Sequence, residues 1–137
     1  MNKKCFSFIC LLIVIISLLS CDSENQNSYD NTAITGKWNL VGYGSEESFK
    51  TCDYGYLTFY YDGMLEGRGF RNEFQGMYSC SGDRIKLSYG STKIGYTDAE
   101  FYFFEDNLKN SERFCFPVKG RLRLFYSGNE FFEFVRN

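Results

Sequence analysis

Tyr56-Leu57-Thr58-Phe59-Tyr60-Tyr61-Asp62-Gly63 is the stretch whose reading decides the fold. Aromatic and β-branched residues fill it, and such residues suit a pleated, half-buried surface. Successive side chains of a strand point to opposite faces, so Leu57 and Phe59 share one face and Tyr56, Thr58 and Tyr60 the other. Asp62-Gly63 at the end is a strong hairpin signal. Met64 to Phe70 is the expected partner strand.

Downstream the same grammar repeats. Phe74 to Cys80, the turn Ser81-Gly82-Asp83, and Arg84 to Tyr89 read as a second hairpin; in its last strand Ile85, Leu87 and Tyr89 face one way and Arg84, Lys86 and Ser88 the other. Leu122, Leu124 and Tyr126 alternate with Arg121 and Arg123, a Ser127-Gly128-Asn129 turn follows, and Phe132 and Phe134 close the chain. Arg113 to Val118 reads as another strand, ending at a Lys119-Gly120 turn. Upstream, Thr35-Gly36-Lys37-Trp38-Asn39-Leu40-Val41-Gly42 opens the domain, with Trp38 and Leu40 on one face.

One segment breaks the period of two. Asp98 to Glu112 carries Phe101, Phe104 and Leu108 at helical spacing, with Thr97 or Asp98 as the N-cap. The expected architecture is therefore mainly β: a small antiparallel β-barrel of about eight strands with one helix across its mouth or side. Composition agrees, since 20% of residues are aromatic and 13 Gly stand against one Pro.

The N-terminus supplies an address. Lys3 and Lys4 precede a run from Phe6 to Leu19 that is apolar apart from Ser7, Cys10 and Ser17, and Leu18-Leu19-Ser20-Cys21 follows. A charged start, a short apolar middle and a small-residue cut site make a secretory signal; a membrane-spanning helix needs a longer unbroken run of ~20 apolar residues. The ending resembles the lipobox of bacterial lipoproteins. That resemblance implies cleavage after Ser20 and a lipidated Cys21, with acyl chains holding the protein in a membrane. Residues 1–20 are read as lipoprotein signal peptide, 21–34 as a lipidated flexible tether of polar composition, and 35–137 as the barrel domain. Asp22 and Glu24 fit both retention at the inner membrane and the surface export of Bacteroidetes-like lipoproteins, so the leaflet stays open; the expected location is the cell envelope, the outer membrane ahead of the inner.

Several function classes fall away. The chain has no histidine, which removes Ser-His-Asp and Cys-His catalysis and histidine metal sites. Its formal net charge is −2, more acidic once Lys3 and Lys4 are removed, so no nucleic-acid partner is expected. Cysteine spacing excludes a CxxC metal site. No cofactor is expected.

Gly36-Lys37-Trp38-x-Leu40-Val41, Leu57-Thr58-Phe59, Asp62-Gly63, Phe74-x-Gly76-x-Tyr78, Gly90 to Gly95, and Leu122-x-Leu124-x-Tyr126 through Phe134 come in an order similar to the META/HslJ-like small β-barrel lipoproteins of Bacteroidetes. The likeness covers about residues 35 to 136 and rests on strand spacing and turn residues. Gly36-x-Trp38 is also how a lipocalin opens. The Gly-Cys-Asn and Met-Ala-Cys elements of better-known META domains are absent, and the resemblance implies no activity.

The mature cysteines beyond Cys21 are Cys52, Cys80 and Cys115. Cys80 shares a face with Phe74 and Tyr78, read as inward, whereas Cys115 alternates with Phe114 and Phe116 and points outward. That disfavours a bridge between them. Cys52, in the loop before a strand, is in reach of either; the expectation is a Cys52–Cys115 disulfide with Cys80 buried and free, three free thiols being the alternative. Glu105-Asp106 and Glu112 are read as a solvated helix face, because adjacent helical residues do not converge. Gly90-Ser91-Thr92-Lys93 lacks the spacing of a phosphate loop. Lys119, Arg121 and Arg123 form a basic stripe, read as an outward strand face. Tyr56 and Tyr60 are the candidate binding surface, against the reading that they only pair across strands.

The functional expectation is a membrane-anchored, non-enzymatic envelope lipoprotein whose barrel is a binding or structural module. The partners are the membrane, through the N-terminal lipid, and an unidentified protein or small molecule. Alternatives are a lipocalin-like carrier of an apolar ligand, and an inhibitor or protective factor acting on another exported protein.

Overall fold

The computed structural model describes residues 31–92 and 99–136. Nine strands form a single antiparallel sheet among them: β1 (Gly36–Gly44), β2 (Phe49–Thr51), β3 (Gly55–Phe59), β4 (Met64–Gly69), β5 (Asn72–Ser81), β6 (Arg84–Ser91), β7 (Arg113–Cys115), β8 (Arg121–Ser127) and β9 (Glu130–Arg136). β1 also pairs with β9, from Trp38↔Arg136 to Gly44↔Phe131, so the sheet closes on itself. β2 and β3 occupy successive stretches of one β1 edge, leaving eight strands in the closed ring. Closure abolishes the open edges that invite aggregation.

The deciding stretch folds as its alternation requires. Leu57 and Phe59 are fully buried, while Tyr56 and Thr58 lie outward. At the turn, the Gly63 amide donates to Tyr60 O (3.1 Å) and the Tyr60 amide to Met64 O (2.9 Å). Gly63 has φ +87°, so this is a three-residue hairpin loop that needs glycine at its last position. The Asp62 carboxylate accepts from the Met64 amide at 3.0 Å.

The inward residues of every strand meet in one aromatic core. Trp38, Phe59, Phe104, Phe114, Phe132 and Phe134 are its largest fully buried members. Helix α2 (Ala99–Lys109) supplies Phe104 and Leu108, both fully buried, and matches the helix expected at this place. The proposed caps Thr97 and Asp98 lie outside the described residues. The ring is thinnest between β6 and β7, which share the single pair Arg84↔Arg113. Beyond it, α2 packs against β6 and β8 and fills the opening. Tyr89 Oη donates to Glu105 O (3.0 Å), and Ser91 Oγ donates to the Glu105 carboxylate.

Three expectations need correction. Arg113 to Val118 is a strand only as far as Cys115, because Pro117 has no amide hydrogen to continue a ladder. The domain begins before residue 35: Asn31–Ile34 forms a single helical turn, α1, and Ile34 is fully buried. Glu105 is 8% exposed rather than solvated, since Ser91 and Lys109 (3.4 Å) compensate its charge.

Candidate functional site

Among the described residues, aromatic rings pack against one another along the barrel core. Phe104 lies 5.1 Å from Phe132 and 6.0 Å from Phe74, Phe59 meets Tyr78 edge-on at 4.9 Å, and Trp38 stacks on Phe116 at 5.9 Å. Aromatic rings at such centroid separations are packed against one another.

On the outer side of β3, Tyr56 and Tyr60 are four residues apart, Tyr60 directly following the last residue of the strand, as the alternation predicts. Both already have cross-strand partners. Lys37 of β1 sits 4.1 Å above the Tyr56 ring, and Tyr60 Oη donates to Glu66 of β4 at 2.7 Å. The bond to Glu66 raises the Tyr60 pKa, so the phenol stays protonated. The pair is thus sheet-stabilising, with Tyr60 and its neighbour Tyr61 the more accessible rings at 40% and 73% exposure.

A second feature was not visible in the sequence. An open groove of about 600 Å³ lies between the β5–β6 tip and the end of α2, lined by Cys80, Arg84, Lys86, Lys109, Ser111 and Glu112 among others. Arg84 and Glu112 approach to only 3.9 Å and are both exposed, so their pairing contributes little. Lys109 is committed to Glu105 and to the Tyr89 ring, 5.2 Å away. Ser111 is buried, and its hydroxyl makes no hydrogen bond among the described residues. The floor holds the Cys80 thiol, whose pKa burial pushes up to about 11. A thiol so protonated at neutral pH is a poor nucleophile, and the groove is suited to holding a polar ligand rather than to covalent chemistry.

The cysteine pairing needs correction. Cys52 and Cys80 are both free thiols, so the Cys52–Cys115 bridge is not formed. Cys115 pairs with Arg123 on β8, Arg123 with Glu133 on β9, and Glu133 with Gly42 on β1. Cys52 lies beyond that, its amide bound to Val41 O of β1. Three strand spacings come to ~14 Å along the sheet, against the ~7 Å beyond which Cα atoms cannot be bridged. Cys52 also packs toward the core, while Cys115 stands in the outward row of Arg123 and Glu133. Burial raises the Cys52 pKa, with the Tyr54 hydroxyl opposing it.

The basic stripe is not free charge. Arg121 and Arg123 both bind the Glu133 carboxylate, Arg123 Nε at 2.7 Å, and Arg123 also pairs with Glu46. Burial works against the Arg123 charge, but Glu133 and Glu46 outweigh it and its pKa rises. Glu133 is only 5% exposed. The glycine-rich loop is likewise structural: Ser91 serves Glu105, and Thr92 Oγ1 accepts from the Glu73 amide at 3.0 Å. Lys93 and Cys21 lie outside the described residues. Among the described residues, no group of three or more His, Cys, Asp or Glu side chains is placed to hold a metal ion.

This geometry defines a class: a closed, antiparallel, eight-stranded β-barrel with one helix packed against it. Solved structures share that fold. The chain is similar to a DUF4847 family protein from Bacteroides vulgatus, with a TM-score of 0.58 and 15% identity over 75% of this chain and 93% of that one. It is also similar to a protein from Burkholderia xenovorans solved by NMR, with a TM-score of 0.63 and 12% identity over 78% of this chain and 86% of that one. At these identities the likeness is one of fold. No family model matches the sequence, and no curated protein does.

Proposed function

We propose that this chain is a cell-envelope lipoprotein, anchored through lipid on Cys21, whose barrel is a non-enzymatic binding or structural module of the META/HslJ-like kind. The observation that supports this reading is a lipobox joined to a barrel filled by its own aromatics. An anchored domain without internal space acts through its outer surface, here the groove beside Ser111 and the exposed turns. The lipocalin-like carrier is the weaker alternative, because Phe104, Phe132 and Trp38 occupy the volume that an apolar ligand needs. Metabolic labelling with an alkyne analogue of palmitate tests the anchoring. The wild-type protein is expected to label and to sediment with membranes, and Cys21→Ser to do neither. Labelling that survives Cys21→Ser refutes the assignment.

A further inference from the structure

We propose that the barrel docks directly on the bilayer through the end at which the tether joins it, with the β3–β4 turn and the β7–β8 connection seated among the headgroups. The inference rests on lipid anchoring at Cys21 and adds the orientation and the contacting residues. In an up-and-down barrel, alternate connections lie at the same end. The start of β1, the β3–β4 turn, the β5–β6 turn, the β7–β8 connection and the end of β9 therefore share one rim.

The chain reaches that rim at a fixed point. Trp38 Nε1 donates to Ile34 O at 2.7 Å, and the Arg136 guanidinium donates to Ala33 O (3.1 Å) and Thr35 O (3.0 Å). The described chain thus enters the fold at this rim. An N-terminal lipid anchor brings this rim nearer the membrane than the opposite one.

Both connections that flank this point present apolar tips. Gly36 pairs with Phe59 just before the β3–β4 turn, where Tyr60 and Tyr61 are 40% and 73% exposed. The Arg136 amide donates to Gly120 O at 2.9 Å, which holds the β7–β8 connection alongside; its Val118 is 58% exposed. Tyrosine belongs at the level of lipid headgroups, because its ring is apolar and its hydroxyl is wet. Lys119 adjoins Val118, and Lys37 sits over the Tyr56 ring; both suit anionic headgroups, against the single carboxylate of Asp62 in the β3–β4 turn. The far rim supplies a control, since Tyr102 on α2 is 51% exposed there.

The test places a tryptophan reporter at each rim of the full-length, lipidated protein. Trp38, the one native tryptophan, is 1% exposed and present in every variant, so it adds the same emission to each and cancels in the comparison. Tyr61→Trp and Tyr102→Trp are reconstituted into phosphatidylethanolamine–phosphatidylglycerol vesicles carrying acyl chains brominated near the headgroup. Quenching at least twofold greater for Tyr61→Trp than for Tyr102→Trp is the expected result, with Val118→Trp behaving like Tyr61→Trp. Equal quenching, or none, in protein that floats with the vesicles overturns the docking while leaving the anchor intact. Protein that carries no acyl mass and fails to float overturns the anchor and the docking with it.

Discussion

The Phe104 ring of α2 meets the Phe132 ring of β9 edge-on, 5.1 Å between centroids and 74° between planes. This contact joins the helix to the strand that closes the barrel, and it turns a ring with one thin seam into a filled body. Truncating Phe104 to Ala is expected to cost about 3–5 kcal/mol, as for other buried phenylalanines. Urea unfolding followed by circular dichroism measures it as a lowered midpoint at unchanged slope. A loss under ~1 kcal/mol would mean that α2 is dispensable to the core.

Glu133 is held between Arg121 and Arg123, and its side chain is almost wholly buried. Removing one member of a buried pair strands the other, at a cost of about 3–5 kcal/mol, whereas replacing both is close to neutral. Arg123→Met leaves Glu133 only the half-exposed Arg121 and should destabilise by part of that cost, and adding Glu133→Leu, which removes the buried carboxylate, should recover most of the loss. Additive losses in that cycle would show that the two side chains act independently.

Gly76 of β5 faces the β6 backbone so closely that an added Cβ would collide with the Ser88 carbonyl and the Tyr89 backbone. Gly76→Ala is expected to lose about 1–3 kcal/mol through strand displacement. Gly90→Ala, with open space around it, should be nearly silent. Amide exchange across β5 and β6 separates the two variants, and equal protection in both would contradict the close approach.

Burial lifts the Cys80 thiol from its ordinary value of 9.0 to about 11. The folded state thus holds the thiol proton more tightly than the unfolded chain does. The corresponding stability is fully present below pH 9.0, and it is lost as pH rises through about 11. Cys80→Ala should flatten the stability curve over that alkaline window and leave it unchanged at neutral pH. In the native wild type, Cys80 should react with iodoacetamide at pH 7.5 far more slowly than after unfolding; equal rates would place the thiol in solvent.

The hairpins and α2 were legible because each carries a local period: Leu57 and Phe59 at spacing two, Phe104 and Leu108 at spacing four. Features made between distant segments were not. β2 is three residues long and exposed throughout, so no alternation marks it. Glu133 reads as an ordinary outward residue until Arg121, Arg123 and Glu46 arrive from β8 and the β1–β2 loop. Glu105 is compensated by Ser91 across the β6–α2 connection. Cys52 sits in a loop, where parity says nothing, and its inward placement follows only from its bond to Val41. The groove beside Ser111 exists because β6 and β7 part after one pair, which no composition announces.

Native mass spectrometry of the full-length gene product, released from membranes in mild detergent, tests the central claim most directly. The account predicts a chain that starts at Cys21, carries acyl mass on that residue and holds no small molecule inside its barrel. An unacylated chain that retains residues 1–20, or a constant-mass apolar ligand that survives release, would contradict it.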